Sequence, residues 1–510
     1  MRHLLLRLRP ADSLQWVFVG FLALLTLGGG LAALVQQPAW LLPALAVPAL
    51  VLVLARWQWL YYLLFLTLPF SHELVLGSLH IDVPSEPLLL SLLVCVPLAL
   101  LLGPGGLGQL APREWRHPLL LLPALMLAWA AFDTLFSVNV LHSVKYLLAK
   151  CWYLVPCLLG TLLLVRRPAD FWRVAACYTG AGVVALAWVM PRHATQGFSF
   201  AKVGWAVQPF FINHVIYATV LALLLPLAGG LAQQASTPGR RRWWLAAGGL
   251  LLFGLITSYT RASWLALPVA GLYYWVLRRR LTRWLLLGLA VAGVGSAVYF
   301  TGADRFMNYA PDFEKTVWHG GNFEAHLAST YKLQDVSGME RVYRWVAAAR
   351  MVADKPLTGT GPSTFYPEYK RYTLKSFRTY VSANPEHSTT HNYFLLQLAE
   401  QGVPGFLLFA ALVATTLLTA ERLYHASAAR PEVRRIVLAV VLSLVIILFH
   451  LFLNELLEVD KIGTFFFVGL AALIRCDSWT ADLTDLTDFA DTPPAVADDA
   501  HSAVLPAPGA

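Results

Sequence analysis

Charged residues are scarce in this chain of 510 residues. Only 13% of its residues are Asp, Glu, Lys or Arg, whereas 58% are hydrophobic, and the mean hydropathy is +0.60. Soluble domains carry about a quarter charged residues, so the composition excludes an ordinary soluble domain. It indicates a polytopic membrane protein.

Cysteines and metal-ligand motifs are also scarce. The five cysteines are Cys95, Cys151, Cys157, Cys177 and Cys476, and each falls in an apolar run or at its inner face. None can therefore form a disulfide in the one long polar segment. Their spacing matches no zinc site, and the polar segment has no D-x-D motif or Cys/His cluster. We therefore expect neither an essential metal ion nor another cofactor.

Long apolar runs recur along the whole chain. A run of about twenty apolar residues can cross a hydrocarbon core of about 30 Å as a helix, and the runs are continuous rather than alternating. The sequence therefore predicts an all-α polytopic membrane protein with about 14 transmembrane helices. The predicted spans are 14–34, 39–55, 57–71, 86–103, 118–136, 146–165, 171–190, 210–232, 243–259, 263–277, 284–300, 393–419, 435–453 and 462–475.

Arginine distinguishes the two sides of this bundle. Short loops on one side hold clusters such as Arg240–Arg242 and Arg278–Arg280, whereas the opposite short loops hold only isolated basic residues. By the positive-inside rule, the arginine-rich side and both termini are cytoplasmic. The net charge of +9 then reflects membrane topology, and no nucleic-acid partner is expected.

This topology divides the chain into four parts. Residues 1–300 hold transmembrane helices 1 to 11, and residues 301–392 form one large, partly helical periplasmic loop with the catalytic residues. Residues 393–476 hold helices 12 to 14. The Asp- and Pro-containing residues 477–510 are expected to be a disordered cytoplasmic tail.

A helix is predicted in the periplasmic loop. Ser337 and Glu340 form an S-x-x-E capping box, and apolar residues follow at helical spacing through 339–353. Arg341 and Arg344 project side by side from this helix, and two guanidiniums suit a phosphate or diphosphate. The alternative is a solvated basic edge on an amphipathic helix.

Two further positions carry chemistry near the membrane surface. Arg261 lies in a tight turn, TSYTRASW, where it either contributes to the same site or contacts lipid head groups. His391 and Asn392 end the polar segment directly before the apolar run 393–398. His391 is a candidate base or a packed interfacial residue, and Asn392 fixes its tautomer or caps the next helix.

Four motifs resemble the signature region of the O-antigen ligase and O-antigen polymerase superfamily. In chain order they are TSYTRASW, GMERVYRW, DKPLTGTGPSTF and HNYFLLQLAEQGVPGFLLF. The resemblance runs from Gly249 to Leu412, and the first half of the chain matches only as hydrophobic spans. Thr260 stands where the family often has Ser, which keeps the hydroxyl.

The resemblance implies a glycosyltransferase on the periplasmic face of a bacterial inner membrane. Such enzymes take a glycan from undecaprenyl diphosphate and pass it to an acceptor hydroxyl. Arg261 and Arg341 match the family's functional arginines and His391 its functional histidine, while Arg344 is added from helix geometry. Arginines can stabilise the diphosphate leaving group without a metal, and a histidine suits deprotonation of the acceptor. Single displacement with inversion follows, because no carboxylate stands out as a nucleophile.

The sequence leaves several functions and secondary residues open. Ligation of O-antigen or another surface polysaccharide to lipid A core is the first choice, and repeat-unit polymerisation or protein O-glycosylation would use a glycan or protein acceptor. A lipid-linked glycan transporter is the alternative of another class, although Lys150 is one of few charges near mid-bilayer. Arg192, Lys202 and His387 are secondary candidates for substrate binding; they are equally compatible with ordinary loop positions.

Overall fold

The computed structural model describes most of the chain. The described residues are 56–76, 79–103, 105–302, 305, 307, 336–378, 382, 384 and 388–490. The predicted spans 14–34 and 39–55 lie outside them, as do residues 491–510 of the predicted tail.

Helices dominate the described residues, and their only sheet is an antiparallel hairpin of β1 (His72–Leu76) and β2 (Leu79–Val83). In chain order the helices are α1 (Trp57–Thr67), α2 (Ser85–Leu102), α3 (Pro112–Trp115), α4 (Pro118–Thr134), α5 (Val140–Leu164), α6 (Pro168–Ala194), α7 (Val203–Ala206), α8 (His214–Gln234), α9 (Pro238–Ile256), α10 (Arg261–Arg278), α11 (Thr282–Thr301), α12 (Val336–Asp354), α13 (Phe365–Glu368), α14 (Tyr393–Ala426), α15 (Pro431–Leu451) and α16 (Asp460–Ala490).

The membrane class predicted from composition is confirmed. Within the described residues, eight helices are long and apolar enough to cross a bilayer, namely α2, α5, α6, α8, α11, α14, α15 and α16. The predicted count of about 14 spans is not confirmed by this number. Helix α16 is enclosed by its neighbours over 89% of its most apolar stretch, whereas α11 is enclosed over 0%. Helix α11 therefore stands at the periphery of the bundle.

Asparagine begins three of the long helices. The side-chain oxygens of Asn139, Asn213 and Asn392 accept hydrogen bonds from backbone N–H groups two or three residues later, at the starts of α5, α8 and α14. Such a cap satisfies otherwise unpaired N–H groups and stabilises a helix by about 1 kcal/mol. The Asn139 cap explains why α5 begins at Val140, six residues before the predicted span.

The end of α16 extends past the predicted start of the tail. Asp477 is buried, and its carboxylate lies 3.2 Å from the guanidinium of Arg113 and 3.0 Å from that of Arg422. Arg475, two residues earlier, pairs with the buried Glu114. These ion pairs hold α16 against α3 and α14, and the helix continues to Ala490.

A turn from the polar segment docks against a break in α14. Gly402 has φ 66° and ψ −172°, which interrupts the helix. The backbone N–H of Val403 donates to the carbonyl of Pro356 over 2.8 Å, and the N–H of Gly361 donates to the carbonyl of Glu400 over 2.8 Å. The carboxylate of Glu400 accepts the N–H of Phe365 at 2.8 Å. The segment after α12 is thereby fixed to the helix that begins beside His391.

Candidate active site

The backbone around His391 is held by α12. The indole N–H of Trp345 donates to the carbonyl of Thr390 over 2.8 Å, and the guanidinium of Arg344 donates to the carbonyl of Thr389 over 3.4 Å. His391 itself has φ +52°, in the left-handed region that non-glycine residues seldom adopt. Backbone strain of this kind costs about 1–3 kcal/mol and persists where the surroundings impose it. The segment therefore presents the imidazole in an imposed conformation.

Asn392 serves as the cap of α14. Its side-chain oxygen accepts the N–H of Leu395 at 3.0 Å, and its own N–H donates to the hydroxyl of Thr390. The capping alternative considered for this residue is the one that the geometry supports. Asn392 thus acts on the site by ending the loop and directing the chain into the helix.

Two arginines of α12 act electrostatically on His391. Burial, followed by the positive charges of Arg341 and Arg344, lowers the pKa of His391 from 6.5 to about 3. The imidazole is therefore neutral at neutral pH and available as a proton acceptor. The electrostatic effect of both arginines on this histidine is compatible with a shared site, which stays a prediction.

The two arginines differ in their environment. Arg344 is buried, and its guanidinium lies 3.3 Å from the carboxylate of Glu340, which also accepts the hydroxyl of Ser382 at 2.5 Å. Arg341 is half-buried. Arg341 is therefore the more accessible of the two guanidiniums for an anionic substrate. Binding of substrate by either residue stays a prediction.

Arg261 lies at the same end of the bundle, at the first position of α10. Two residues later, the hydroxyl of Ser263 lies 3.1 Å from Nε2 of the buried His450, and α15 ends directly after His450, at Leu451. The loop that follows α15 contains Glu455, which faces His391. The helices thus bring the Arg261 turn towards the His391 end, and direct convergence of Arg261 with Arg341 stays a prediction.

The secondary candidates are not brought together. Arg192 donates to the carbonyl of Trp205 over 3.1 Å, and its guanidinium lies 4.4 Å from the centre of that indole ring. Lys202 is exposed in a short 3-10 helix. His387 lies outside the described residues. Arg192 is therefore engaged in local packing, and no described contact joins it or Lys202 to His391.

Glu455 is a residue to which the sequence assigns no catalytic role, although it belongs to an exterior acidic group that could bind sugar hydroxyls. Its Oε2 lies 3.7 Å from Nδ1 of His391, and burial raises the pKa of this carboxyl above its usual range. In the sequence, Glu455 belongs to an acidic group near the start of the last span, and its spacing carries no signal. A chain separation of 64 residues from His391 hides the pair until the helices pack.

A second polar cluster lies beside this pair. Lys150 is buried and donates to the carboxylate of Glu458 over 2.7 Å, and the hydroxyl of Tyr393 donates to the same oxygen over 3.0 Å. Lys150, the charge near mid-bilayer that was compatible with a transporter, is therefore paired with Glu458. Lys150 has a structural role next to the site, since Tyr393 follows His391 by two residues.

One acidic group has the composition of a metal site. Carboxylate oxygens of Asp82, Glu86 and Asp460 lie within 4.8 Å of one another. Both oxygens of Asp460 already accept hydroxyl hydrogen bonds, from Tyr153 over 2.5 Å and from Ser85 over 2.8 Å. Hydrogen bonding within the protein therefore accounts for Asp460, and the expectation of a metal-independent reaction stays a prediction.

Comparison with known families adds an independent observation. A sequence model of the family described as O-antigen ligase matches residues 246–410, about a third of the chain. No curated protein matches the chain. The matched segment begins in α9 and ends in α14, and it includes Arg261, Arg341 and His391.

Proposed function

We propose that this chain, of which residues 246–410 match the O-antigen ligase family, transfers an undecaprenyl-diphosphate-linked glycan to an acceptor hydroxyl. The family match supports a function of the ligase or polymerase type in a multi-pass membrane protein. Our proposal adds the donor, the periplasmic side of a bacterial inner membrane, and lipid A core as the acceptor. The observation that carries it is a neutral histidine beside two arginines within the matched segment.

In the proposed reaction, His391 removes the proton of the acceptor hydroxyl. The acceptor oxygen forms a bond to the anomeric carbon while the bond from that carbon to the diphosphate oxygen breaks. The electron pair leaves with undecaprenyl diphosphate, and the proton remains on the imidazole. A single displacement of this kind inverts the anomeric configuration.

Fixed positive charge supports the departure of the diphosphate. Arg341 is half-buried, and its charge acts on His391. Arg344, three residues later on the same helix, pairs with Glu340. A guanidinium stays charged at any relevant pH and offers a planar set of donors to phosphate oxygens. Stabilisation of charge that develops in the transition state is often the largest contribution to catalysis. We assign this role to Arg341 and, with it, Arg261.

An imidazole with a lowered pKa is a weak base, and binding of the glycan donor makes it a stronger one. The anionic diphosphate offsets the charge of the arginines, which favours the protonated imidazole and raises the pKa of His391 towards its usual value. Base strength then becomes adequate once the donor is bound. The glycan is activated and the acceptor is deprotonated in the same complex.

Transfer by the purified protein tests the proposal. The full chain is incubated with an undecaprenyl diphosphate glycan and, separately, lipid A core, the lipid-linked glycan alone, or a protein acceptor. We expect label on lipid A core, and a loss of about a hundredfold or more in His391→Gln and Arg341→Gln. Arg371→Gln is the matched control, since Arg371 is exposed and pairs with Glu368; it should retain activity.

Other outcomes would assign other functions. Chain extension on the lipid would indicate a polymerase, and label on the protein hydroxyl would indicate protein O-glycosylation. Full activity of the His391→Gln variant would contradict the assigned base. Passage of lipid-linked glycan across vesicles without transfer to any acceptor would contradict the enzyme.

A further inference from the structure

The half-buried carboxylate of Glu455 faces the imidazole of His391. Its Oε2 lies 3.7 Å from Nδ1, and the side chains of Glu455 and His391 are 24% and 28% exposed, so both are partly accessible to solvent. Oε2 itself has no hydrogen-bond partner among the described residues. The carboxyl group also interacts with Thr389, two residues before His391, and with Arg344. These interactions hold it beside the segment of His391, with Oε2 facing the imidazole.

Resting on the function proposed above, we propose that Glu455 is the positioning residue of His391, with its carboxylate next to Nδ1 so that Nε2 is left for the acceptor hydroxyl. One proton between Nδ1 and Oε2 fixes the tautomer. When Nε2 takes the acceptor's proton, the positive charge of the imidazolium meets the carboxylate. No further reactant is needed, and the proton leaves to water after transfer.

The separation of 3.7 Å is slightly longer than a hydrogen bond. Hydrogen bonds of catalytic groups are often long before substrate binds and shorten in the reactive complex. A change of about half an ångström in either side chain would close this one. Both side chains lie at loop ends rather than within helices, so such a movement does not require a helix to shift.

The loop of Glu455 is anchored next to the segment that carries His391. Glu458, three residues later, accepts hydrogen bonds from Lys150 of α5 and from Tyr393 at the start of α14. Because Tyr393 follows His391 by two residues, this cluster ties the two segments together. The ion pair of Lys150 and Glu458, together with the hydrogen bond from Tyr393, therefore holds the loop of Glu455 next to the start of α14.

The charges around the imidazole explain why a carboxylate is needed. Arg341 and Arg344 of α12 both oppose its protonation. Glu340 offsets Arg344, with which it pairs, and Glu455 is the carboxylate in contact with the imidazole. Glu455 is thus placed to stabilise the imidazolium that the reaction creates.

The pH dependence of kcat separates a positioning role from a structural one. With saturating donor, kcat falls in acid as the base becomes protonated. Glu455→Gln removes a negative charge, which lowers the pKa of His391. We therefore expect kcat to fall about tenfold to a hundredfold and its acid limb to move to lower pH by about one unit. Glu455→Asp keeps the charge and should restore part of the rate with the wild-type limb.

Glu421→Gln is the matched control. Its carboxylate accepts hydrogen bonds from the N–H and hydroxyl of Thr282, at the start of α11, and it should leave the acid limb in place. A lowered rate with an unmoved limb in Glu455→Gln would mean that the side chain supports only the fold, and would overturn the inference. The wild-type rate and limb in that variant would do the same.

The His391→Gln variant tells the two proposals apart. If His391→Gln is inactive and Glu455→Gln behaves as wild type, the positioning role fails and the proposed function stands. If His391→Gln is fully active, the base assignment fails and Glu455 has no base to position. Thermal unfolding of each variant in detergent verifies that it is folded before rates are compared.

Discussion

At the scale of single residues, burial and neighbouring positive charge keep His391 neutral even in mild acid. The pKa of His391 is lowered from 6.5 to about 3, first by burial and then by Arg341 and Arg344. The sequence identifies the histidine and the arginines, because each stands in a recognisable motif. It does not identify Glu455, because proximity to His391 depends on the packing of α15 and α16 against α14.

The same lowered pKa predicts how stability depends on pH. Between about pH 3 and pH 6.5 the unfolded chain binds a proton at His391 that the folded protein does not bind. Wild-type protein therefore loses stability as the pH falls through this window. His391→Gln removes the titrating group, so its unfolding midpoint in detergent should fall less between pH 7 and pH 5. An equal or larger fall in the variant would contradict the neutral histidine.

At the scale of elements, the site depends on a break in a long helix. Gly402 allows the first turns of α14 to receive the segment that follows α12, and Glu400 accepts the N–H groups of Ser363 and Phe365 there. The sequence predicts a transmembrane span over 393–419, and the motif DKPLTGTGPSTF contains two closely spaced glycines. The contact between them is not predictable, because the Gly402 conformation has no signal beyond a glycine followed closely by Pro404.

Replacement of Gly402 should be far more damaging than replacement of a helical glycine. A Cβ at Gly402 would lie 2.1 Å from the carbonyl oxygen of Leu357, in a backbone conformation that favours glycine. We expect Gly402→Ala to destabilise the protein by about 3 kcal/mol or more. In Gly271→Ala the added Cβ meets open space on α10, so no loss is expected. Thermal unfolding in detergent measures both, and equal midpoints would refute the argument.

At the scale of the whole molecule, two groups of ion pairs lie at opposite ends of the helix bundle. The cluster around Asp477 holds α16 at the end near α3, whereas Lys150 and Glu458 tie α5 and α14 next to His391. A helix of 19 residues spans about 28 Å, so α9 separates Arg240 from the turn that carries Arg261. Together with this separation, the positive-inside rule predicts that the Arg261 end of the bundle is periplasmic.

The ion pair of Lys150 and Glu458 should stabilise the fold only while both members are present. Removing one member leaves an uncompensated buried charge, which costs about 3–5 kcal/mol. We therefore expect Lys150→Met to destabilise strongly, and the double variant with Glu458→Gln to be more stable than the sum of single effects. Arg173→Met breaks a pair whose arginine is 67% exposed and should cost less than about 1 kcal/mol. Additive effects at Lys150 and Glu458 would contradict the pair.

Cysteine labelling tests the orientation. In a background with the native cysteines replaced by alanine, Arg371→Cys should react with a membrane-impermeant maleimide in intact cells, because the polar segment is predicted to be periplasmic. Arg240→Cys, on the arginine-rich side, should react only after the membrane is opened. The reverse pattern would invert the topology and would place the candidate active site in the cytoplasm.

Composition and apolar runs were sufficient to identify a multi-spanning α-helical membrane protein, since burial in lipid demands continuous apolar helices irrespective of how they pack. Short motifs predict site roles for Arg261, Arg341 and His391, and the i, i+4 spacing on the predicted helix makes Glu340 and Arg344 neighbours. Only the tertiary structure decided that Asn392 caps a helix and that Glu455 faces His391. The first depends on local side-chain geometry and the second on helix packing, and chain spacing encodes neither.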